Sequence, residues 1–417
     1  LMQALRSLSA FDGERFLDGG ATVLVDGDTI VGVEPAAYDV PEDCEDFMLA
    51  TRPGPQPKPV AIAMDDVALM TYTSGTTGLP KGAMLTYANA LYKTHATVET
   101  AALGDNGISL SVAPLYHIAG MLMGVNAPIL AGTTQVLLYR FDPLAVLQAI
   151  DRYKVTYWYS IAPMNVACMQ VPEADQFDLS SLQRNPATSF GITLTEGLAQ
   201  QWQAFTGGPC ITCEAAYGLS ETHTMDTTMP FDAIRWGTQG KAVAGNTIRI
   251  IDPDTGTEKP AGEMGEIIVR GPGNFKGYWN QPESTAKTLR NGWVHTGDMG
   301  RMDADGYLTF MGRFKEMIKV SGYSVFPEEV ETILIKHPAV AQAAVIPAED
   351  EQKGEVVKAF IVKKPGAEAT EDEIIAWSRD NMAVYKAPKH VRFIEKLPAT
   401  GSGKVLRRLL KEDGNNP

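Results

Sequence analysis

Between Tyr72 and Gly82 the chain reads Tyr-Thr-Ser-Gly-Thr-Thr-Gly-Leu-Pro-Lys-Gly, packing four aliphatic hydroxyls, three glycines and one lysine into a single loop. Residues of these types hold anions. Glycines let the backbone approach a ligand so that N–H groups converge on it, and the hydroxyls of Thr73, Ser74, Thr76 and Thr77 add donors. Lys81 contributes a mobile point charge. The spacing is not that of a Walker A loop, since Lys81 is followed by Gly82 rather than Ser or Thr. A solvated Ser/Thr/Gly turn explains the loop in isolation equally well.

Further loops carry complementary chemistry. Tyr217-Gly-Leu-Ser-Glu-Thr222 follows the apolar run Ile211 to Ala216 and offers a flat ring for a purine, hydroxyls for an anion and a carboxylate for a divalent ion. A capped helix start is the plainer reading of the same residues. Trp293-Val-His-Thr-Gly-Asp298 sets a carboxylate after a glycine, suited to a pair of ribose hydroxyls or to an Asx turn. Between Gly312 and Gly322 stand Arg313, Lys315 and Lys319; near the end, Thr400-Gly-Ser-Gly-Lys404 places one more lysine in a loop.

These loops need a scaffold, and the pattern between them alternates apolar strands with helical stretches. Strands are expected at Val67 to Tyr72, Gly107 to Ala113, Thr133 to Tyr139 and Val155 to Ile161, and helices at Pro143 to Tyr153 and Leu194 to Phe205. A helix or turn is expected to open within Ala83 to Thr94. Residues 245 to 270 read as a β-rich subdomain. After Arg313 come a strand pair around Ser321-Gly322, a helix from Pro327 to His337 and strands at Val340 to Ile346 and Val356 to Lys363. At the other end, Asp26-Gly27 sits between alternating strands as a hairpin signal, and the prolines from Pro53 to Pro59 read as an extended linker.

The fold class is therefore α/β: a large multi-subdomain domain of β-sheets flanked by helices with a β subdomain, followed by a small α+β domain. The expected boundaries are 1–48 for an N-terminal β unit, 49–313 for the large domain and 314–417 for the small one. With 417 residues and 44% hydrophobic content the chain can fill several cores. A net charge of −14 argues against a nucleic-acid or anionic-membrane partner. No apolar run is long enough to span a bilayer, and a cytoplasmic location is expected. Cys210 and Cys213 lie in a strand-like run with no second Cys/His pair at ligand spacing, which disfavours zinc.

Taken in order, the 72–82 loop, Pro114-Leu-Tyr-His117, Tyr217 to Thr222, Thr296-Gly-Asp298, Gly312-Arg313-Phe-Lys315 and Gly401-Ser-Gly-Lys404 resemble the motif series of the adenylate-forming enzymes, which include acyl-CoA synthetases. The resemblance covers roughly residues 60 to 412. It implies ATP, Mg²⁺ and CoA as cofactors, a carboxylic acid as substrate, and no nucleic-acid partner; a homodimer is left open. It further implies that Thr73, Ser74, Gly75, Thr76, Thr77, Gly78 and Lys81 hold the β- and γ-phosphates. Tyr217 and Gly218, with Gly191, would line the adenine, Ser220 would meet the α-phosphate, Glu221 would ligate Mg²⁺, and Asp298 and Arg313 would hold the ribose. Lys404 looks like the lysine that bridges carboxylate and α-phosphate during adenylation. Lys315 matches the hinge of a swinging C-terminal domain, and Lys319 and Gly322 belong to the loop that replaces Lys404 in the thioester half. His117 matches a position beside the acyl and thiol channel. The run Ala119 to Gly124 is small and apolar, without the buried acid that an amino-acid ammonium group needs, so a fatty or aryl acid is favoured.

Two departures from the family pattern stand out. The adenine-lining loop usually reads Gly-Gly-Ala-Pro-Leu, and here it is Phe190-Gly-Ile-Thr-Leu194. Only 71 residues precede Tyr72, fewer than the family carries; Leu1 stands where an initiator methionine is expected, suggesting a fragment, and residues 8 to 36 look like the β unit of metal-dependent amidohydrolases. No H-x-H pair follows that would complete a hydrolase site. A nucleotide-binding protein with little ligase turnover is the alternative function.

Overall fold

The computed structural model describes residues 2–7, 10–11, 16–17, 21–26, 29–35, 44–46, 61–73, 80–101, 103–104, 107–190, 192–350, 354–398 and 405–414. The Pro53–Pro59 linker, residues 74–79, Gly191 and the loop from Thr400 to Lys404 lie outside the described residues. The chain divides into two compact units, the first Leu1–Asp66 with Tyr72–Gly82 and the second Val67–Thr71 with Ala83–Pro417.

In the first unit Ala21–Asp26 and Thr29–Pro35 pair antiparallel with Asp26 opposite Thr29, the hairpin that Asp26-Gly27 signals. Met2–Ser7 extends this sheet antiparallel to Ala21–Asp26, and Cys44–Asp46 adds a parallel edge.

The centre of the second unit is a parallel sheet. Thr134–Leu137, Ile108–Ser111, Tyr157–Trp158 and Arg184–Thr188 lie side by side, and Arg184–Thr188 also pairs with Ile211–Glu214 and Ser160–Ile161. Parallel strands need crossover helices, and the intervening sequence supplies them. Pro143–Tyr153 forms where it was expected because Asp142 accepts the Ala145 N–H as N-cap, Pro143 occupies the first turn and Lys154 ends the helix in the left-handed conformation. Its Val146, Leu147 and Ile150 pack with Leu110, Trp158 and Trp202 in one buried cluster. Each such fully buried aliphatic side chain is worth about 2 kcal/mol.

Thr247–Ile251, Gly265–Arg270, Trp293–Met302 and Leu308–Arg313 build the antiparallel β subdomain. Beyond Arg313, the hairpin Ile318–Val320/Tyr323–Val325 turns at Ser321 and Gly322, both at positive φ, and the helix Pro327–Leu334 covers the long antiparallel pair Val340–Asp350/Gly354–Lys363. This small α+β unit has its own core around Ile318, Val330, Leu334, Val345, Val357 and Ile361.

Two local expectations are sharpened. The helix expected to open within Ala83 to Thr94 does so at Tyr87, once the strand Lys81–Thr86 has ended; Thr86 and Asn89 cap it reciprocally, each side chain accepting the other's backbone N–H. The run Ile211 to Ala216 leaves the sheet at Glu214, where the carboxylate turns to bind a neighbouring loop.

Candidate functional site

Strands of a parallel sheet present ligand-binding loops at their carboxyl ends. Here the loop following Ile211–Glu214 runs from Tyr217 to Thr227 and is closed on itself: the N–H groups of Asp226 and Thr227 donate to the Tyr217 carbonyl at 2.7 and 3.2 Å, and the Tyr217 N–H donates to Thr227 Oγ1 at 3.0 Å. Within it Ser220–Thr222 forms one 3₁₀ turn, capped by the Leu219 N–H on Thr222 Oγ1. His223, Thr224 and Met225 then take φ values of 57°, 55° and 47°. Three successive non-glycine residues in the left-handed region cost on the order of 1 kcal/mol each. Gly218 permits the tight fold, since a Cβ there would sit 2.5 Å from the Met225 nitrogen.

A buried ion pair holds the strained segment. Lys93, from the helix Tyr87–Ala101, is 0% exposed; its Nζ lies 2.7 Å from Asp226 Oδ1 and donates to the Met225 carbonyl at 2.9 Å. Asp226 also accepts from Thr222 Oγ1 and, at 2.9 Å, from Asn246 Nδ2. Burial pulls the Lys93 ammonium down and pushes the Asp226 carboxyl up, and their mutual attraction opposes both shifts. His223 is fully buried beside this pair, and neither ring nitrogen makes a sound hydrogen bond. Burial lowers its imidazole to about 4; its own backbone carbonyl opposes that shift and the Lys93 charge adds to it.

The loop's side chains reach two partners across the β subdomain. Tyr217 Oη donates to Asp298 Oδ2 at 2.8 Å, and Arg313 Nε stands 3.2 Å from Asp298 Oδ1. Asp298 and Arg313 are register partners in adjacent antiparallel strands, so sheet geometry fixes this contact. The Phe310 ring backs Tyr217 with centroids 5.9 Å apart. Burial, and secondarily the Asp298 charge, raise the Tyr217 phenol well above its ordinary value. Glu221, four residues on, accepts from Tyr278 Oη at 2.6 Å, and its carbonyl accepts the Phe275 N–H at 2.8 Å. The structure thus brings together Tyr217, Gly218, Ser220, Glu221, Asp298 and Arg313.

At the end of that same strand, Ile211–Glu214, the Glu214 carboxylate accepts the Ser189 N–H at 2.9 Å and the Ser189 hydroxyl, whose oxygen accepts the Leu194 N–H at 2.9 Å. The expected adenine-lining loop, Phe190 to Leu194, is therefore anchored through Ser189: that residue bonds the buried Glu214 carboxylate, and the Leu194 N–H bonds the Ser189 hydroxyl. Desolvation raises Glu214 to about 7, against the pull of its two bonds to Ser189.

His117 is exposed and caps the helix Ile118–Met121 through Nδ1, 3.3 Å from the Ala119 nitrogen. That helix continues through a π-helical turn, Leu122–Asn126, whose buried Leu122 and Met123 pack with Tyr157, Ala216 and Met225. An apolar wall thus joins the run Ala119 to Gly124 to the loop that carries Glu221. Lys319 is exposed, its Nζ 3.2 Å from Ser324 Oγ, and Gly322 turns the same hairpin at φ 86°. Thr73 and Lys81 lie in the first unit, where Thr73 Oγ1 donates to the Lys81 carbonyl at 3.5 Å. Ser74, Gly75, Thr76, Thr77, Gly78, Gly191 and Lys404 lie outside the described residues.

Sequence reading missed Lys93, Asp226, Tyr278 and Glu214. Lys93 and Asp226 look like ordinary surface charges, and Glu214 sits in an apolar run with no motif around it. Asn89 paired with Thr86 is the one local signal that this helix begins close to something buried: Asn89 Nδ2 donates to the Pro272 carbonyl at 2.7 Å.

Comparison with known proteins adds to this geometry. A family model for AMP-binding enzymes matches residues 17–279, and one for the AMP-binding enzyme C-terminal domain matches residues 329–404. The long-chain-fatty-acid–CoA ligase of Bacillus subtilis is 38% identical over 355 residues, 84% of this chain and 62% of that protein. A feruloyl-CoA synthase from an Amycolatopsis species is 39% identical over 363 residues, 84% of this chain and 71% of that protein. Among solved structures, ATP-bound MatB from Rhodopseudomonas palustris superposes with a TM-score of 0.76 at 32% identity, covering 85% of this chain and 69% of that one. The chain thus spans somewhat over three-fifths of the length of the Bacillus relative. Among the described residues no helix is long and apolar enough to cross a membrane.

Proposed function

Because this chain belongs to the AMP-binding enzyme family, we propose that it is an ATP-dependent carboxylic acid:CoA ligase that activates a fatty or aryl acid as an acyl-adenylate and transfers the acyl group to CoA. The observation that carries the reading is the linkage of Tyr217, Asp298 and Arg313 one turn from Glu221, which sets a nucleoside grip beside a carboxylate suited to a phosphate-bound cation.

In the first half-reaction a carboxylate oxygen of the acid attacks the α-phosphorus of ATP, and pyrophosphate leaves with the electron pair of the broken P–O bond. In the second, the CoA thiol attacks the acyl carbon, loses its proton and displaces AMP. Tyr217 offers its ring face to the purine, while the Asp298 carboxylate keeps lone pairs for the ribose hydroxyls after serving Tyr217 and Arg313. Ser220 faces the α-phosphate. The run Ala119 to Gly124, backed by the buried Leu122, Met123 and Met225, contains no charged side chain and suits an apolar acid.

Glu221 fits Mg²⁺. One of its oxygens is fixed by Tyr278, and among the described residues no group of three or more acidic, His or Cys side chains gathers as a complete cage. A cation that keeps its waters and takes phosphate oxygens needs one such carboxylate. When bound, the ion would neutralise charge on the phosphates. Ser74, Thr76, Thr77, Lys81 and Lys404 take their phosphate-contacting roles, and His117, Lys319 and Gly322 their channel and second-half roles, from the motif series. A cytoplasmic location fits this reading, since ATP and CoA are both available there.

The test is acid-dependent ATP/pyrophosphate exchange over a panel of fatty and aryl acids. Exchange should appear with at least one acid and fall by 10² or more in Lys404→Ala, the scale of a lost electrostatic stabiliser. Exchange indifferent to Lys404 overturns the reading. ATP binding by calorimetry without acyl-adenylate by mass spectrometry supports nucleotide binding without turnover instead.

A further inference from the structure

The loop 189–194 departs from the family's Gly-Gly-Ala-Pro-Leu at Thr193, where a proline is usual. Proline has no side-chain donor; threonine has one, and the structure uses it. Thr193 Oγ1 lies 3.0 Å from Thr332 Oγ1, on the helix Pro327–Leu334 of the C-terminal segment. The direction of this bond is determined by counting protons. The Thr332 hydroxyl already donates to the Glu328 carbonyl one turn back, at 2.7 Å, so its oxygen is the acceptor and Thr193 is the donor.

Both ends of the bond are firmly based. Behind Thr193, the Leu194 N–H donates to Ser189 Oγ, and Ser189 is held by the buried Glu214. Behind Thr332, the same helix carries Glu328 and Glu331, which pair with Arg407 at 3.1 and 2.9 Å; Arg407 also reaches Glu316, at 2.7 Å, in the turn Phe314–Glu316 that follows Arg313. One hydroxyl pair thus connects the adenine-lining loop, through a helix and an arginine, to the expected hinge. In the same arrangement Lys319 is exposed and bonded to Ser324, on the small unit's own hairpin.

We propose that Thr193 and Thr332 form a clasp that fastens the C-terminal segment to the adenine-lining loop for adenylation and must open before thioester formation. Thr193 is a positioning residue in this role. The inference rests on the ligase reading for its kinetic consequences, but the clasp itself is measurable without turnover.

The experiment compares the full chain with Thr193→Val, Thr332→Val, the double variant and Thr193→Ser. The first readout is limited trypsin cleavage after Lys315, an exposed residue of the hinge turn, in the presence of ATP, since cleavage follows the population of the open form. Loss of one hydroxyl bond should raise that rate about fivefold in both single valine variants. The double variant should be no faster than either single, because both remove the same bond, and Thr193→Ser should match the parent protein. The second readout splits the reaction: pyrophosphate exchange should fall about fivefold in Thr193→Val, whereas thioester formation from supplied acyl-adenylate should proceed at the parent rate or faster. Unchanged cleavage in Thr193→Val overturns the clasp, as does an equal loss in both half-reactions that serine fails to rescue. If no acid supports exchange even in the parent protein, the ligase reading falls, and the cleavage rates still decide the clasp.

Discussion

Lys93 and Asp226 stand 2.7 Å apart with side chains 0% and 1% exposed, and they join the helix Tyr87–Ala101 to the end of the loop that carries Tyr217, Ser220 and Glu221. The loop's left-handed run from His223 to Met225 hangs between that pair and the Tyr217 carbonyl. Removing one member of a buried pair leaves the other buried without its counter-charge, which costs about 3–5 kcal/mol. Lys93→Met should therefore lower stability by that amount in urea unfolding. Lys93→Met combined with Asp226→Leu should recover part of it, because two uncharged groups replace one stranded charge. A single variant as stable as the parent would show that the pair does not hold the loop.

Tyr217→Phe removes the bond to Asp298 and keeps the ring against Phe310. A hydrogen bond to a charged group is worth about 1.5–3 kcal/mol. Since Arg313 still engages Asp298, the lower end applies, and the KM for ATP should rise about tenfold with kcat nearly unchanged, the pattern of lost uniform binding. Asp298→Asn should do more, because Tyr217 and Arg313 both lose a charged partner. A fall in kcat at constant KM would place Tyr217 in the chemistry rather than in nucleotide binding.

Much of this architecture was legible from local rules. Asp142 before Pro143 set a helix start, and the apolar spacing to Tyr153 carried it to its observed end. Asp26 and Thr29 face one another as the hairpin signal required. Tyr217, Glu221, Asp298 and Arg313, the residues of the proposed nucleotide grip, could be named beforehand because they sit in motifs whose residue types suit that chemistry, and the structure links Tyr217 with Asp298 and Arg313. What escaped reading depends on contacts distant in sequence. Asp226 is 133 positions from Lys93, and Tyr278 is 57 from Glu221. A lysine within a helix gives no local hint that it is buried, because the burial comes from the loop packed over it. The start of the helix within Ala83 to Thr94 is narrowed to Tyr87 by a distant contact of the same kind: pairing of Ala83 and Met84 with Tyr278 and Gly277 extends the strand before the helix can begin.

Tyr278→Phe tests the support of the candidate metal ligand. The phenol holds one Glu221 oxygen at 2.6 Å, and burial followed by the Glu221 charge raises its pKa above the ordinary tyrosine value. Without that bond Glu221 is less firmly oriented, so the Mg²⁺ concentration for half-maximal exchange should rise about tenfold, the lower end of the range found when a supporting partner of a metal ligand is lost. Glu221→Gln should give a larger shift together with a lower maximal rate. A Mg²⁺ dependence identical in both variants and the parent would remove Glu221 from the metal site.

Glu214 makes a prediction about pH. Its carboxyl titrates at about 7 in the folded protein against 4.5 for the ordinary group, with desolvation as the main cause. Between those values the folded state keeps a proton that the unfolded chain has released, so stability falls as pH rises from 4.5 to about 7 and levels off above that. The full window corresponds to about 3 kcal/mol. Glu214→Gln has no proton to lose and retains an acceptor for Ser189. Its stability should therefore decline less between pH 4.5 and 7 than the parent's, by about 3 kcal/mol over the window. Glu331, also raised to about 7 by burial and against the pull of the Arg407 charge, leaves some slope of the same sign in both proteins, and the difference between them isolates Glu214. Urea unfolding at pH 5, 6, 7 and 8 measures it. Parallel curves for the two proteins would mean that Glu214 is ionised throughout, and that Ser189 and the adenine-lining loop are held by a fixed negative charge.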